Sequence, residues 1–331
     1  TRWRDDFTVL VPRRAQAYSR RADGWHLDMP FENVHGPGGL LTTVGDWLKW
    51  NDALSKRVFG EVSDSLLSRA TLTNGRKITY GMGMTNGTYR GTTEWQHSGS
   101  TAGYSTFLAR YPNAGLSIAV MCNAAGASAT SYVRQLADAL IPELAAPTVF
   151  DTTAADPSRN ARYVGLYRDD RTHDVSELFI DRGQLRIRGG AMLRALRDGD
   201  FLMGAASRLH FNTAPDGSPT GVRILAPAGD TLTWTFAAPS RWQPTEAQLQ
   251  SLAGRWYQPE IDITWTAKVE KGALVLQLRP GTQVTLTPAY ADAFEAGAYG
   301  TVWFTRDKKG NATAMHLGAS RVWDLVFTRA R

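Results

Sequence analysis

His97, Ser98, Gly99 and Ser100 carry the clearest chemical content in this 331-residue chain, inside the run Trp95-Gln96-His97-Ser98-Gly99-Ser100-Thr101-Ala102-Gly103-Tyr104. An imidazole titrates near neutrality and both donates and accepts hydrogen bonds, so a histidine on a strand can serve proton transfer. It can equally be a structural residue at a strand end, and His-x-Gly alone does not decide between the two. Other chemistries find less support. His26, His35, His97, His173, His210 and His316 are dispersed and no His-Glu-x-x-His occurs, so no metal site is implied. No Gly-x-Ser-x-Gly elbow is present, and Gly81-Met82-Gly83 lacks the closing glycine of a dinucleotide loop. The single cysteine, Cys122, ends the apolar run Ile118-Ala119-Val120-Met121, which reads as a buried, inert thiol and allows no intrachain disulfide.

Two further segments stand ahead of His97. They are Gly36-Pro37-Gly38-Gly39-Leu40-Leu41-Thr42-Thr43 with Asp46-Trp47-Leu48-Lys49-Trp50, and Tyr80-Gly81-Met82-Gly83-Met84. In this order the three resemble the serine β-lactamase and penicillin-binding-protein-like hydrolases, in their class C β-lactamase, esterase and D-aminopeptidase branch. The resemblance covers about residues 1–146 and only the C-terminal portion of such a domain. It implies that a strand presents His97 to the substrate and the proton-relay groups, where other members carry Lys-Thr-Gly. It also implies that Gly99 lets substrate approach the backbone and that the Ser100 N–H forms half of an oxyanion hole. His97 and Ser100 are thus the catalytic candidates. Ser98 and Gly99 would flank the substrate, and Asn123, at the end of the strand two over, would line the pocket.

The family's nucleophile lies in Ser-x-x-Lys, and no serine of this chain is followed three positions on by lysine. Its second motif is Tyr-x-Asn or Ser-x-Asn. Tyr111-Pro112-Asn113 has that spelling but lies in the turn after the His97 strand, so it reads as turn chemistry. The expectation is the C-terminal portion of an enzyme that cleaves small amide, peptide or ester substrates through an acyl-enzyme, inactive as this chain alone. The alternative is a non-catalytic binding or regulatory protein with two β-modules. No metal or organic cofactor is implied.

The elements that must position these residues read as α+β up to residue 146, with an antiparallel sheet, then as two all-β barrel-like modules. Thr43 and Asp46 resemble a capping box opening a helix through Leu54. A second helix is expected over Ser63–Leu72, a strand over Tyr80–Met84, and a turn-rich stretch to Arg90. Strands are expected over Glu94–His97, Gly103–Tyr111 and Leu116–Cys122, with Pro112-Asn113-Ala114-Gly115 joining the last two. Val133, Leu136, Ala137, Leu140, Ile141 and Leu144 recur at helical spacing. Residues 147–156 read as a linker, followed by module 1 over 157–240 and module 2 over 241–331. Tyr163-Val164-Gly165-Leu166-Tyr167 is echoed by Leu252-Ala253-Gly254-Arg255-Trp256-Tyr257 at an offset of 89 residues, which fits two β-barrel or β-sandwich modules of similar plan, the alternative being a coincidence between two strand-rich halves. Tryptophans such as Trp234, Trp256 and Trp303 fit either barrel cores or a ligand groove.

A net charge of +6 is spread over scattered arginines without an aromatic-interleaved basic run, so nucleic acid is not the expected partner. No run approaches the roughly 18 apolar residues of a membrane span. Thr1 implies a removed leader or a start inside a larger product, and the expected placement is periplasmic or secreted rather than cytoplasmic. The expected macromolecular partner is the missing N-terminal half of the hydrolase domain, or a second copy covering the same open sheet edge.

Overall fold

The structure is a computed structural model describing residues 1–6, 8–30, 35–73, 75–204, 206–226 and 231–330, apart from the side chains of His35 and Pro37. It divides into two units, Thr1–Thr148 and Val149–Arg331.

In the first unit, hairpin β1 (Tyr18–Arg21) and β2 (Gly24–Leu27) precedes helix α1 (Val44–Ser55). Thr43 caps α1: its hydroxyl accepts the Asp46 N–H at 3.2 Å, satisfying a donor that the first turn leaves free. Helix α2 (Glu61–Leu67) stops short of the expected Leu72, because Ser68 is already extended. Four strands follow as an antiparallel meander, β3 (Thr85–Tyr89), β4 (Thr92–Thr101), β5 (Tyr104–Tyr111) and β6 (Leu116–Cys122). Two expectations are corrected here. Tyr80–Met84 is a turn and not a strand: the Gly81 N–H donates to the Met84 carbonyl at 2.8 Å, and Gly83 sits at φ +84°. The strand is instead Thr85–Tyr89, the outer one of the four, paired with β4 and bridged on its other side at Thr85 to Tyr80. Strand β4 is also longer than expected and carries the whole His97–Ser100 segment.

Helix α3 (Ala129–Leu140) ends before the expected Leu144, since Ile141 precedes Pro142 and leaves the helical region. It lays Ala129, Val133 and Ala137 on Phe107, Ala109, Tyr111 and Ile118, giving one face of the sheet its core. Leu108 is buried on the opposite face. Helix α1, packed on β5 and β6, brings buried Leu54 and Asn51 there, and Asn51 donates its amide to the Ala109 carbonyl at 3.1 Å.

Among its described residues the second unit holds two antiparallel sheets of eight and nine strands. In each, sequence neighbours pair and the last strand returns beside the first: Thr231–Ala238 beside Gly165–Asp169, and Val322–Arg329 beside Gly254–Gln258. Both sheets therefore curl into nearly closed barrels, each filled by its own apolar cluster. The 89-residue echo is structural. Gly165 and Gly254 open the first strands at φ +145° and +148°, and the left-handed turns Arg182-Gly183 and Lys271-Gly272 occupy equivalent places. Trp256, Trp265 and Trp303 are buried, the first two in the core of the second barrel, whereas Trp323 faces outward beneath the Arg171 guanidinium.

Candidate active site

Strand β4 starts and ends in two-residue hairpins, Arg90-Gly91 toward β3 and Ala102-Gly103 toward β5. In such a hairpin the flanking pair exchanges both hydrogen bonds, and bonding then alternates along the strand. From the Tyr89–Thr92 pair, Thr92, Glu94 and Gln96 bond toward β3. From the Thr101–Tyr104 pair, Thr101, Gly99, His97 and Trp95 bond toward β5, in phase with the β3 side. Strand β3 ends at the Thr85–Gln96 pair, whereas β5 accompanies β4 to its end. Ser98 and Ser100 therefore turn their N–H and C=O groups toward an edge with no strand among the described residues.

Side chains alternate across the same strand. His97 and Gly99 share the α1 face with Leu108 and Thr106; Ser98 and Ser100 share the α3 face with Phe107 and Ser105. From His97 to Thr101 the strand is exposed to solvent. His97 is nevertheless held: its Nε2 lies 3.1 Å from the Tyr80 hydroxyl. A Cβ on Gly99 would stand 2.5 Å from the Thr106 hydroxyl oxygen, so the cross-strand threonine uses the space a side chain would need. Ser100 also borders a hollow of about 310 Å³ with Ala102, Tyr104, Ser105 and the Ala125–Thr130 turn into α3.

Asn123 is not beside this group. It lies past the end of β6, two strands from β4, where its amide donates to the Gln16 carbonyl at 2.9 Å. Its own carbonyl accepts the Tyr18 N–H at 2.9 Å, and with Tyr18, Trp25 and Ala124 it lines a second hollow of about 250 Å³. The tip of the β4–β5 hairpin rests on the same region: a Cβ on Gly103 would meet the Tyr18 N at 2.5 Å, and the Gly103 N–H donates to Asp28. Tyr111-Pro112-Asn113 leads into a 3₁₀ turn closed by Gly115 at φ +63°. A second such spelling, Ser158-Arg159-Asn160, lies on the short helix before the first barrel, where buried Asn160 donates to Gly183.

Behind the site stands a network that motif reading did not single out. Glu94, 3% exposed, accepts the Tyr111 hydroxyl at 2.9 Å and an Arg134 N–H at 3.2 Å, tying β4 to β5 and α3. Burial, reinforced by the Glu94 carboxylate, raises the Tyr111 phenol well above its ordinary range. Cys122 is half-buried and packs against the α3 cluster. His26, His210 and His316 each pair with an aspartate, and His173 stacks on Trp303 at 3.9 Å. Among the described residues no cluster of His, Cys, Asp and Glu has a metal-binding arrangement.

Residues 6–141 match the family model described as Beta-lactamase. No curated protein matches the chain. Among solved structures, the chain is similar to SurE at 19% identity, covering 66% of this chain and 55% of that one, with a TM-score of 0.38. It is also similar to the octameric penicillin-binding protein homologue from Pyrococcus abyssi at 16% identity, covering 94% of this chain and 53% of that one, with a TM-score of 0.34. The chain thus spans about half the length of these two solved chains. Its His-x-Gly strand, the glycine-rich approach to α1 and the closing helix α3 all fall within residues 6–141, the span that is similar to the Beta-lactamase family.

Proposed function

We propose that residues 1–146 form the C-terminal portion of a hydrolase domain that cleaves amide or ester bonds, as a D-aminopeptidase, peptidase or esterase, through an acyl-enzyme. The observation that carries this reading is the open edge of β4. There the His97 imidazole and the outward amides of Ser98 and Ser100 lie side by side on one extended strand. An extended substrate laid along that edge would exchange hydrogen bonds with Ser98, and the Ser100 N–H would meet a developing oxyanion. Ser98 and Gly99 flank that path, with His97 as the proton-handling group. Asn123 stands apart from that path, past the end of β6 and two strands from β4.

In this reading the nucleophile comes from outside these 331 residues, which hold no Ser-x-x-Lys. The partner is the N-terminal half of the domain or, failing that, a second copy on the open edge. Incubation of the chain with a fluorophosphonate or penicillin probe should leave its intact mass unchanged, and stoichiometric labelling would overturn the expected inactivity. The coding sequence ahead of Thr1 supplies the decisive test. If it encodes Ser-x-x-Lys, the longer product should label on that serine, and His97→Ala should lower kcat by roughly 10²-fold with a smaller change in KM. A normal kcat in folded His97→Ala would end the role of His97, and absence of that motif would favour a non-catalytic binding module.

A further inference from the structure

We propose that Tyr80 is a positioning residue for His97: its hydroxyl donates to Nε2, holds the ring in one orientation and places the imidazole proton on Nδ1. The inference deepens the reading of His97 given above and rests on it for its catalytic meaning.

The contact is a hydrogen bond and not a ring stack. The hydroxyl lies 3.1 Å from Nε2, while the ring centroids are 5.9 Å apart at 56°. What makes the contact more than a chance meeting of two exposed side chains is how the Tyr80 backbone is held. Its carbonyl accepts the Ala70 N–H at 3.1 Å, and it bridges to Thr85 across the turn that Gly81 closes onto Met84. The flanking segments are pinned as well, with Ile78 N–H on the Ala70 carbonyl and Asn86 N–H on the Thr79 carbonyl. Gly81 is pressed on the 68–70 segment so closely that a Cβ would stand 2.1 Å from the Ser68 carbonyl oxygen. Gly83 takes the left-handed φ of +84° that lets the chain reverse. The residue types of Tyr-Gly-x-Gly thus have separate reasons. One glycine gives close approach, the other gives the turn, and both serve to deliver the phenol.

The place of delivery matters too. Thr85–Gln96 is the last pair between β3 and β4, and Tyr80 is bridged to the same Thr85, from where its side chain reaches His97, the first β4 residue without a β3 partner. A phenol is a far better donor than acceptor toward a neutral imidazole nitrogen. With Nε2 accepting from Tyr80, the tautomer is fixed and Nδ1–H remains as the donor. The second ring nitrogen is therefore defined by the bond the first one makes.

The test uses the 331-residue protein labelled with ¹⁵N on histidine. Long-range ¹H–¹⁵N correlation in alkaline buffer, where a neutral imidazole is observed, reads which ring nitrogen carries the proton. We expect Nδ1–H in the wild type and, in Tyr80→Phe, a shift of the proton to Nε2, the tautomer preferred by unconstrained histidine. Unchanged β4 and β5 amide shifts in Tyr80→Phe would show that the sheet is intact, a condition under which a merely structural tyrosine would leave the tautomer alone. An Nε2–H wild type, or the same tautomer in both proteins, overturns the proposal. This result is independent of catalysis: loss of activity in His97→Ala tests the function, and the tautomer tests Tyr80.

Discussion

Replacing Glu94 by alanine should loosen the link between β4, β5 and α3, and its size follows from the contacts it removes. Glu94→Ala leaves the fully buried Tyr111 hydroxyl without its acceptor, at a cost of about 1–3 kcal/mol for an unsatisfied buried group. The lost Arg134 pair adds about 0–1 kcal/mol, because that side chain is 39% exposed and water can replace the carboxylate. The emptied methylene space adds about 1 kcal/mol. The sum is about 2–5 kcal/mol. Glu94→Gln keeps an acceptor for Tyr111 and should cost only about 1–2 kcal/mol. With several folding units in one chain, a single melting curve is a poor readout, so native-state hydrogen exchange at the β5 amides is the suitable assay. At tenfold per 1.4 kcal/mol, exchange should accelerate at least about 30-fold in Glu94→Ala and by about 5- to 30-fold in Glu94→Gln. Acceleration below about threefold in Glu94→Ala, or equal acceleration in the two variants, would refute the claim that the carboxylate organises this side of the sheet.

Other expectations rest on separate contacts. Tyr111 keeps its proton in the fold above the pH at which the unfolded phenol loses it. Its stability contribution should therefore be full below about pH 10 and decline as pH rises from there, a slope absent from Tyr111→Phe in denaturation series at pH 8 to 11. Gly103→Ala drives a Cβ into the Tyr18 backbone and should cost about 1–3 kcal/mol, read as faster exchange of the Tyr18 and Ala125 amides; unchanged protection would contradict the close approach. Burial, then Arg168, lowers the His173 pKa, so the folded state binds fewer protons than the unfolded one. The Val149–Arg331 unit should lose stability as pH falls below about 6.5, and His173→Phe, which retains a ring against Trp303, should flatten that part of the Tm profile. Arg241, in the segment between the barrels, reaches Glu177 of the first and Glu295 of the second; Arg241→Ala should cost the unit about 1–3 kcal/mol in urea denaturation, and an unchanged midpoint would show the clamp to be dispensable.

Local patterns in the sequence were enough for the parts whose partners lie within a few residues. Thr43 starts α1 because a hydroxyl three residues before Asp46 N–H is a cap in almost any context. Leu116–Cys122 is a strand and Val133–Leu140 a helix because their apolar residues repeat at the period of each element. The two barrels announced themselves through turns and glycines 89 residues apart, since left-handed turn positions restrict residue type directly. The same holds for the His97–Ser100 segment as a motif, though not for what surrounds it.

Tertiary structure decided whatever depends on a distant partner. Thr85-Asn86-Gly87-Thr88-Tyr89 is polar and glycine-containing and reads as a turn, yet becomes β3 because β4 offers it a hydrogen-bonding edge. Tyr80-Gly81-Met82-Gly83-Met84 reads as a strand, yet turns because Gly81 must fit against the Ser68 carbonyl. Where β3 stops, and so where β4 becomes an open edge, is set by that turn and by nothing within the His97 segment itself. The contacts of His97 with Tyr80 and of Glu94 with Tyr111 each span 17 residues, and that of Glu94 with Arg134 spans 40. A sequence window carries residue type and period, but a hydrogen bond between residues that far apart exists only once the sheet has fixed which faces and edges meet.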